Sequence, residues 1–351
     1  MSRIQTGLNF ISDYAGNLTT DAKLNYITEP RDWAIKEVGR DLITRNNHRI
    51  KGRITTTPRG LKNKIIHFGS VNTFSVPHDS NRCVMSWYHI TRNDENLKNI
   101  KEIGKHLEIL HTTNKITRNA FLNMGVNEDK IVTIPLGVDL NLFHPTSEVE
   151  GYWELRDKYG LPPDAKIIGS FQKDGNGWGE GREPKWVKNP QMFIEVIKSL
   201  HRQYDGKIFV LLLGAARGYV KKQLSEHGIP FKHVYLTNFK EVAKYYQVLD
   251  LYLVTSRSEG MPKAILESMA SGIPLISTKV GIAPEIISHG VNGLLCDIDD
   301  TKVMTYYALD ILNREQFASS LRYEGLKTAK RFSWDIIADR FYNEIYLRLG
   351  E

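Results

Sequence analysis

Glu259-Gly-Met-Pro-Lys-Ala-Ile-Leu-Glu267-Ser-Met-Ala-Ser-Gly272 sets two carboxylates eight residues apart. The first lies in a Gly-Pro turn and the second inside the helix that this turn opens. Upstream, Leu251-Tyr-Leu-Val-Thr255 has the unbroken apolar run of a buried strand, and downstream Ile273-Pro-Leu-Ile-Ser277 has another. Pro262 suits a first helical turn, where its missing N–H costs nothing. The amides at such a helix start, with the helix dipole, favour an anion. If Ile265, Leu266 and Met269 face the core, Glu267 is left at the cleft edge. Carboxylates do not bind phosphate, so both must accept hydrogen bonds from another part of the same ligand. A sugar nucleotide combines a diphosphate with hydroxyls on both sides of it.

The same alternation runs outward in both directions. Strand-like runs occur at Ile167–Phe171, Lys207–Leu213 and His233–Leu236, with helices expected around Pro190–Tyr204, from Gly218, and over Lys240–Val248. In the first half, Lys64–Phe68, Cys83–Trp87, Leu107–Leu110 and Lys130–Ile134 read as strands, and Thr117–Met124 as a helix ended by Gly125. Alternating strands and helices imply an α/β fold with parallel sheets. A break lies near 145–165, where Pro145, a charged helix from Glu150 to Tyr159 and Gly160-Leu-Pro-Pro163 separate two blocks. The expected organisation is a Rossmann-like domain over 1–148, a second over 149–333, and a C-terminal helix over 334–351 that packs back on the first.

Composition narrows the class. The chain has 351 residues, 41% hydrophobic and 25% charged, so it can bury full cores without staples. Cys83 and Cys296 are the only cysteines, which argues against disulfides and zinc sites. There is no apolar run of about 18 residues and no signal-peptide core at the start, so a cytoplasmic protein is expected. The net charge is +7. Between Asp41 and Asp79 there is no acid, only Arg45, Arg49, Lys51, Arg53, Arg59, Lys62 and Lys64. That stretch reads either as a solvated surface or as a patch for an anionic acceptor or membrane face. It lacks the interleaved aromatics of a nucleic-acid platform.

Ser256-Arg-Ser-Glu-Gly-Met-Pro-Lys-Ala-Ile-Leu-Glu-Ser-Met-Ala-Ser-Gly-Ile-Pro-Leu-Ile-Ser, followed by Gly281-Ile-Ala-Pro-Glu-Ile-Ile and Gly290-Val-Asn-Gly-Leu-Leu, resembles the C-terminal domain of the retaining glycosyltransferases of family 4. Ile134-Pro-Leu-Gly-Val-Asp-Leu-Asn-Leu-Phe-His-Pro145 resembles the segment that ends their N-terminal domain. The resemblance implies a GT-B fold, two Rossmann-like domains facing a central cleft. It implies a nucleotide-sugar donor held mainly by the second domain, and no metal or other cofactor. Glu267 matches the ribose-binding carboxylate and Glu259 the one beside the donor sugar. Gly260, Met261, Pro262 and Lys263 match the donor-binding turn.

The family also places a basic residue after the first strand of the second domain and a lysine before the next helix, where they clamp the diphosphate. Lys173 and Lys188 are the candidates. Between them lies an insert with Gly175, Gly177, Gly179 and Gly181, so Arg182 and Lys185 compete for the first role. Such a loop reads as mobile, or as a lid that closes on the donor. His89, after Cys83–Trp87, is the candidate beside the donor sugar from the first domain, with His111 a weaker rival. Glu285 reads as structural. Asp297-Ile-Asp299 has the spacing of a metal-binding acidic pair but sits late in the domain, on an expected surface turn. No GxGxxG fingerprint opens either domain, which argues against a dehydrogenase.

The expected activity is transfer of a sugar from a UDP- or GDP-sugar to a glycan or lipid-linked acceptor, with retention. The alternatives are another GT-B enzyme, an epimerase or a phosphorylase, and a non-catalytic sugar-nucleotide or glycan-binding protein.

Overall fold

The computed structural model describes residues 3–30, 34–90, 97, 99–146, 149–177 and 179–350. They fall into two units, Met1–Gly137 with Trp334–Glu351, and Val138–Ser333.

The first unit holds six strands: β1 (Leu24–Ile27), β2 (Gly52–Thr55), β3 (Ile65–Phe68), β4 (Arg82–Ser86), β5 (Ile109–Thr112) and β6 (Ile131–Thr133). They form one parallel sheet in the order β2-β1-β3-β4-β5-β6. β1, β3 and β5 are buried along their whole length, as expected of parallel strands covered on both faces. β2 is the edge strand and is only partly buried, so it can carry Arg53.

Residues after 333 complete this unit. The helix Trp334–Phe341 continues through a π turn at Tyr342–Tyr346 into Leu347–Gly350. Trp334, Ile337, Ala338 and Phe341 are its buried residues, a spacing of three and four that makes one apolar stripe. Across from it, in the helix Ala34–Asn46, the buried Asn46 amide donates to Leu42 O (3.0 Å) and Ala338 O (3.1 Å). Deeper in, a row of hydrogen bonds crosses the sheet. Tyr346 Oη meets His67 Nδ1 (2.8 Å), His67 Nε2 meets Ser86 Oγ (2.8 Å), Ser86 Oγ meets His111 Nδ1 (2.7 Å), and His111 Nε2 meets Ile134 O (2.8 Å).

The acid-free stretch from Arg45 to Lys64 is acid-free only along the chain. Arg45 pairs with Asp41 (2.6 Å) and Asp335 (2.9 Å), Arg49 with Asp339, Lys51 with Asp21 and Arg53 with Asp13 (3.9 Å). Much of its charge is therefore matched by carboxylates from other parts of the unit.

The second unit repeats the plan with β7 (Ala165–Ser170), β8 (Lys207–Leu213), β9 (Phe231–Val234), β10 (Leu251–Val254), β11 (Leu275–Thr278) and β12 (Leu294–Cys296). Their parallel order is β12-β11-β10-β7-β8-β9. Neighbouring residues of one strand supply opposite cores. Ile167, Leu211, Leu213, Tyr252 and Val254 pack on one face. Ile168, Val210, Leu212, Leu251 and Leu253 pack on the other. The chain starts in the middle at β7, builds outward to β9, then returns to β10 on the other side. The order therefore reverses between β7 and β10, and the loops leaving those two strands diverge. In open parallel sheets a crevice for a ligand forms at such a reversal.

Cys83 and Cys296 are free thiols, each buried in a different unit. Among the described residues, no helix is long and apolar enough to cross a membrane.

Candidate active site

The two loops at the reversal are laced together. After β10, the Arg257 and Ser258 amides donate to Val187 O (2.9 and 3.3 Å), and Thr255 Oγ1 donates to Asn189 O (3.2 Å). Val187 lies in a single 3₁₀ turn, Trp186–Lys188, that ends the long loop after β7. A third loop joins them through Asp299, whose carboxylate takes the Arg257 guanidinium (2.8 Å) and the Asn189 amide (2.8 Å). Asp297 pairs instead with Lys279 (2.8 Å). The two acids of the Asp-x-Asp spacing thus hold two different cations.

This lacing brings Lys188 onto Glu259. Their ion pair is sheltered, with 22% of the lysine and 14% of the glutamate side chain exposed, and Ser256 Oγ also donates to Glu259 Oε1 (2.9 Å). Lys173 and Lys185 stand close by. Burial holds the Lys185 ammonium below its ordinary range, and the Lys188 and Lys173 charges push it further down against the pull of Glu259. Lys188 is thus paired with Glu259, and the half-buried Lys185 lies within reach of the charges of Lys188, Lys173 and Glu259. Arg182 is elsewhere: it is exposed and paired with Glu180 (2.6 Å) on the loop surface. Of the three cations competing for the first role, Lys173 and Lys185 are in the cluster.

The glycine-rich insert is a narrow hairpin. Gly175 bridges Pro184, Asn176 N donates to Glu183 O (2.9 Å), and Lys185 N donates to Asp174 O (2.7 Å). Its base is buried at Asp174 and Gly175, and Asn176, Gly177, Gly179 and Glu180 near its tip are exposed.

Glu267 occupies the helix Lys263–Ala270, which Pro262 precedes in an extended conformation without a side-chain cap. Ile265, Leu266 and Met269 are buried beneath it. Glu267 itself is 5% exposed. Tyr246 Oη donates to its Oε2 (3.1 Å), Lys263 Nζ stands 3.7 Å from its Oε1, and Oε1 has no hydrogen-bond partner. Burial raises its pKa, opposed by Lys263 and Tyr246. A buried carboxylate oxygen with no donor carries a desolvation cost that a ligand hydroxyl would relieve. Gly260 and Met261 lie in the turn between the two glutamates, and Ile282 N donates to Gly260 O (3.1 Å). Gly281 makes that contact possible: its φ is +50°, and a Cβ there would stand 2.3 Å from Gly260 O. Sequence reading had not singled out Gly281 for this task, although its motif was visible.

His89, in the first unit, lies just after β4 and is exposed. His111 is fully buried with both ring nitrogens engaged, which makes it a structural residue. Glu285 is exposed on the short helix Ala283–Ile286.

Residues 182–328 match the family model described as Glycosyl transferases group 1. N-acetyl-alpha-D-glucosaminyl L-malate synthase of Bacillus anthracis is 28% identical over 166 residues, 46% of this chain and 40% of that protein. D-inositol 3-phosphate glycosyltransferase of Segniliparus rotundus is 28% identical over 227 residues, 61% and 46% of the two chains. The chain thus spans less than half the length of these curated relatives. In solved structures, Anabaena Alr3699/HepE in complex with UDP and glucose aligns over 93% of this chain and 99% of that one, with a TM-score of 0.74 at 16% identity. Sucrose-phosphate synthase from Thermosynechococcus elongatus aligns over 91% and 80%, with a TM-score of 0.65 at 18% identity. The fold is the GT-B fold of these solved structures, and the stretch that matches the family model lies within the second unit.

Proposed function

We propose that this chain is a glycosyltransferase that takes a sugar from a nucleoside-diphosphate donor, a UDP- or GDP-sugar, and transfers it to a glycan or lipid-linked acceptor with retention of configuration. The observation that carries the reading is the sheltered ion pair of Lys188 with Glu259 at the sheet reversal, with Lys173 and Lys188 both near Lys185, and, on the helix that follows Glu259, a buried Glu267 whose Oε1 has no hydrogen-bond partner. A diphosphate fits the lysines. Ribose hydroxyls fit Glu267, and the hydroxyls of the transferred sugar fit Glu259. The HepE structures in complex with UDP and with UDP-glucose support a nucleotide-sugar donor on this fold.

In the proposed reaction the bond between the anomeric carbon and the diphosphate oxygen breaks. The electron pair leaves with the diphosphate, whose growing charge is met by the lysines and by the amides at the start of the Lys263–Ala270 helix. The acceptor hydroxyl attacks the same face of the oxocarbenium-like sugar and passes its proton to the departing phosphate. Glu259 holds and orients the sugar in this scheme. Charge neutralisation is assigned to protein groups, with no metal. A cytoplasmic enzyme working at the inner membrane face suits a lipid-linked acceptor. The matched charges of the 45–64 stretch make it a weaker membrane anchor than its sequence suggests.

The test is a thermal-shift and turnover screen against UDP-, GDP-, ADP- and dTDP-sugars without added metal. One nucleotide should raise the melting temperature, and its diphosphate should be released in a reaction that Glu259→Ala abolishes. Turnover that requires inorganic phosphate and frees no nucleotide would indicate a phosphorylase. Donor binding without any turnover would indicate a binding protein, and folded protein that no nucleotide shifts would sink the donor site.

A further inference from the structure

Arg217 is the largest side chain that the fold buries completely. It stands between β8 and the helix Gly218–Glu226, and its guanidinium gathers several carbonyls. Nη1 donates to Ser170 O (2.7 Å), Gln172 O (2.7 Å) and Leu213 O (3.0 Å), and Nη2 to Ser170 Oγ (3.2 Å). Nη2 also lies 3.0 Å from Asp174 Oδ2, with both side chains at most 1% exposed. Neither Asp174 oxygen has an aligned hydrogen-bond donor, so the contact is an ion pair and little more. Burial raises the Asp174 pKa to about 6 in spite of Arg217. A buried ion pair returns little net stability after its desolvation cost, while the guanidinium also satisfies the Ser170, Gln172 and Leu213 carbonyls.

What the pair does fix is the backbone that bears the lysines. Lys173 lies between Gln172, whose carbonyl Arg217 holds, and Asp174, whose carboxylate it pairs with. Lys185 N donates to Asp174 O (2.7 Å), and Gln172 Nε2 donates to Lys188 O (3.4 Å). The hairpin is fastened to the same corner, because Gly218 N donates to Glu180 O (2.6 Å) and Tyr219 N to Gly181 O (2.9 Å). The insert therefore closes on the residues flanking Arg217.

We infer that Arg217 and Asp174 are positioning residues, whose buried pair sets where Lys173, Lys185 and Lys188 stand to receive the donor diphosphate. The inference rests on the donor reading above. It makes the glycine-rich hairpin a fixed wall of the phosphate recess and not a lid.

The experiment measures the affinities of UDP, GDP, uridine and guanosine by calorimetric titration, with melting temperatures recorded alongside. The variants are Asp174→Asn and the apolar double variant Asp174→Leu with Arg217→Met. The double variant should fold but melt below wild type, because it leaves the Ser170, Gln172 and Leu213 carbonyls without their Arg217 donor. In both, affinity for the preferred diphosphate should fall tenfold or more, while its nucleoside binds within about twofold of wild type. Adding Lys185→Ala to Asp174→Asn should cost less than it costs alone, because the lysine would already be misplaced. If the pair is purely structural, melting falls and the preference for diphosphate over nucleoside survives, and the inference is overturned. Unchanged diphosphate affinity in a folded double variant overturns it equally. Wild-type protein that binds neither UDP nor GDP overturns the donor reading itself, and this inference with it.

Discussion

Lys188 and Glu259 form an ion pair between two loops that leave neighbouring strands, β7 and β10, at the point where the sheet order reverses. Each is the other's counter-ion. On the proposed reading a diphosphate draws Lys188 toward itself and releases Glu259 to accept hydroxyls from the sugar, so that binding and turnover respond differently to loss of the glutamate.

Glu259→Gln should therefore lower the rate of diphosphate release by about 100-fold or more, the scale on which a positioned polar group acts in a transition state. Binding of UDP or GDP alone should be unchanged or tighter, since Lys188 is freed. Steady-state turnover and calorimetric titration check the two halves separately. Equal losses in both would show that Glu259 serves ground-state binding.

Glu267→Gln should raise stability and lose ribose discrimination. The carboxyl pKa is raised by burial, so the folded state disfavours the charged form. Its cost is absent below the unfolded pKa and appears as pH rises through the folded one. At neutral pH, removing the charge should show as a higher melting temperature. The same variant should bind ribo- and 2′-deoxyribonucleoside diphosphates with similar affinity, where wild type prefers the ribose form.

The buried histidine row should make the first unit sensitive to acid. Ile134 O can only accept, so His111 carries its proton on Nε2 and accepts the Ser86 hydroxyl at Nδ1. Ser86 then accepts His67 Nε2–H, and His67 Nδ1 accepts the Tyr346 hydroxyl. Burial lowers the pKa of both histidines, His111 to about 4. Their neutral forms stabilise the fold fully above the unfolded value of about 6.5, and this contribution is lost as pH falls from there toward 4. Ser86→Ala strands two ring nitrogens and should cost about 2–4 kcal/mol. Denaturant melts between pH 7 and 4 measure both effects, and a flat profile for wild type would contradict the assignment.

Gly281→Ala should weaken donor binding without touching a donor-binding side chain. The new Cβ would meet Gly260 O at 2.3 Å in a backbone region that alanine avoids. The turn between Glu259 and Glu267 must shift to accommodate it. Nucleoside-diphosphate affinity should drop severalfold with a modest fall in melting temperature.

The strands of the second unit were legible because each is an apolar run bounded by turn residues. Leu251–Val254 and Lys207–Leu213 are clear cases. β9 lies two residues earlier than its apolar letters suggest, because Phe231-Lys-His-Val pairs with β8 on the strength of that neighbour. β2 escaped notice: Gly52-Arg-Ile-Thr is a polar edge strand inside a basic stretch, and only its pairing with β1 defines it. The helix Arg3–Thr19 is a second element outside the expectations from sequence. Spacing and resemblance put forward Glu259, Glu267 and Lys188 as candidates, and the fold brings Lys188 onto Glu259 and buries Glu267. The choice among Lys173, Arg182 and Lys185 was not, since only a folded hairpin shows that Arg182 turns outward to Glu180. Arg217 carried no sequence signal, because nothing in Gly214-Ala-Ala-Arg217 says that the arginine is buried.

The first unit is discontinuous: residues 334–350 complete it after the whole second unit has intervened. On the ribosome this inverts the usual order. Residues 138–333 form a unit of their own and can finish folding while Asn46 and His67 still wait for Ala338 and Tyr346. The unit that is begun earlier is then finished later. A nascent protein would pass through a stage with its second unit formed and its first still open to chaperones.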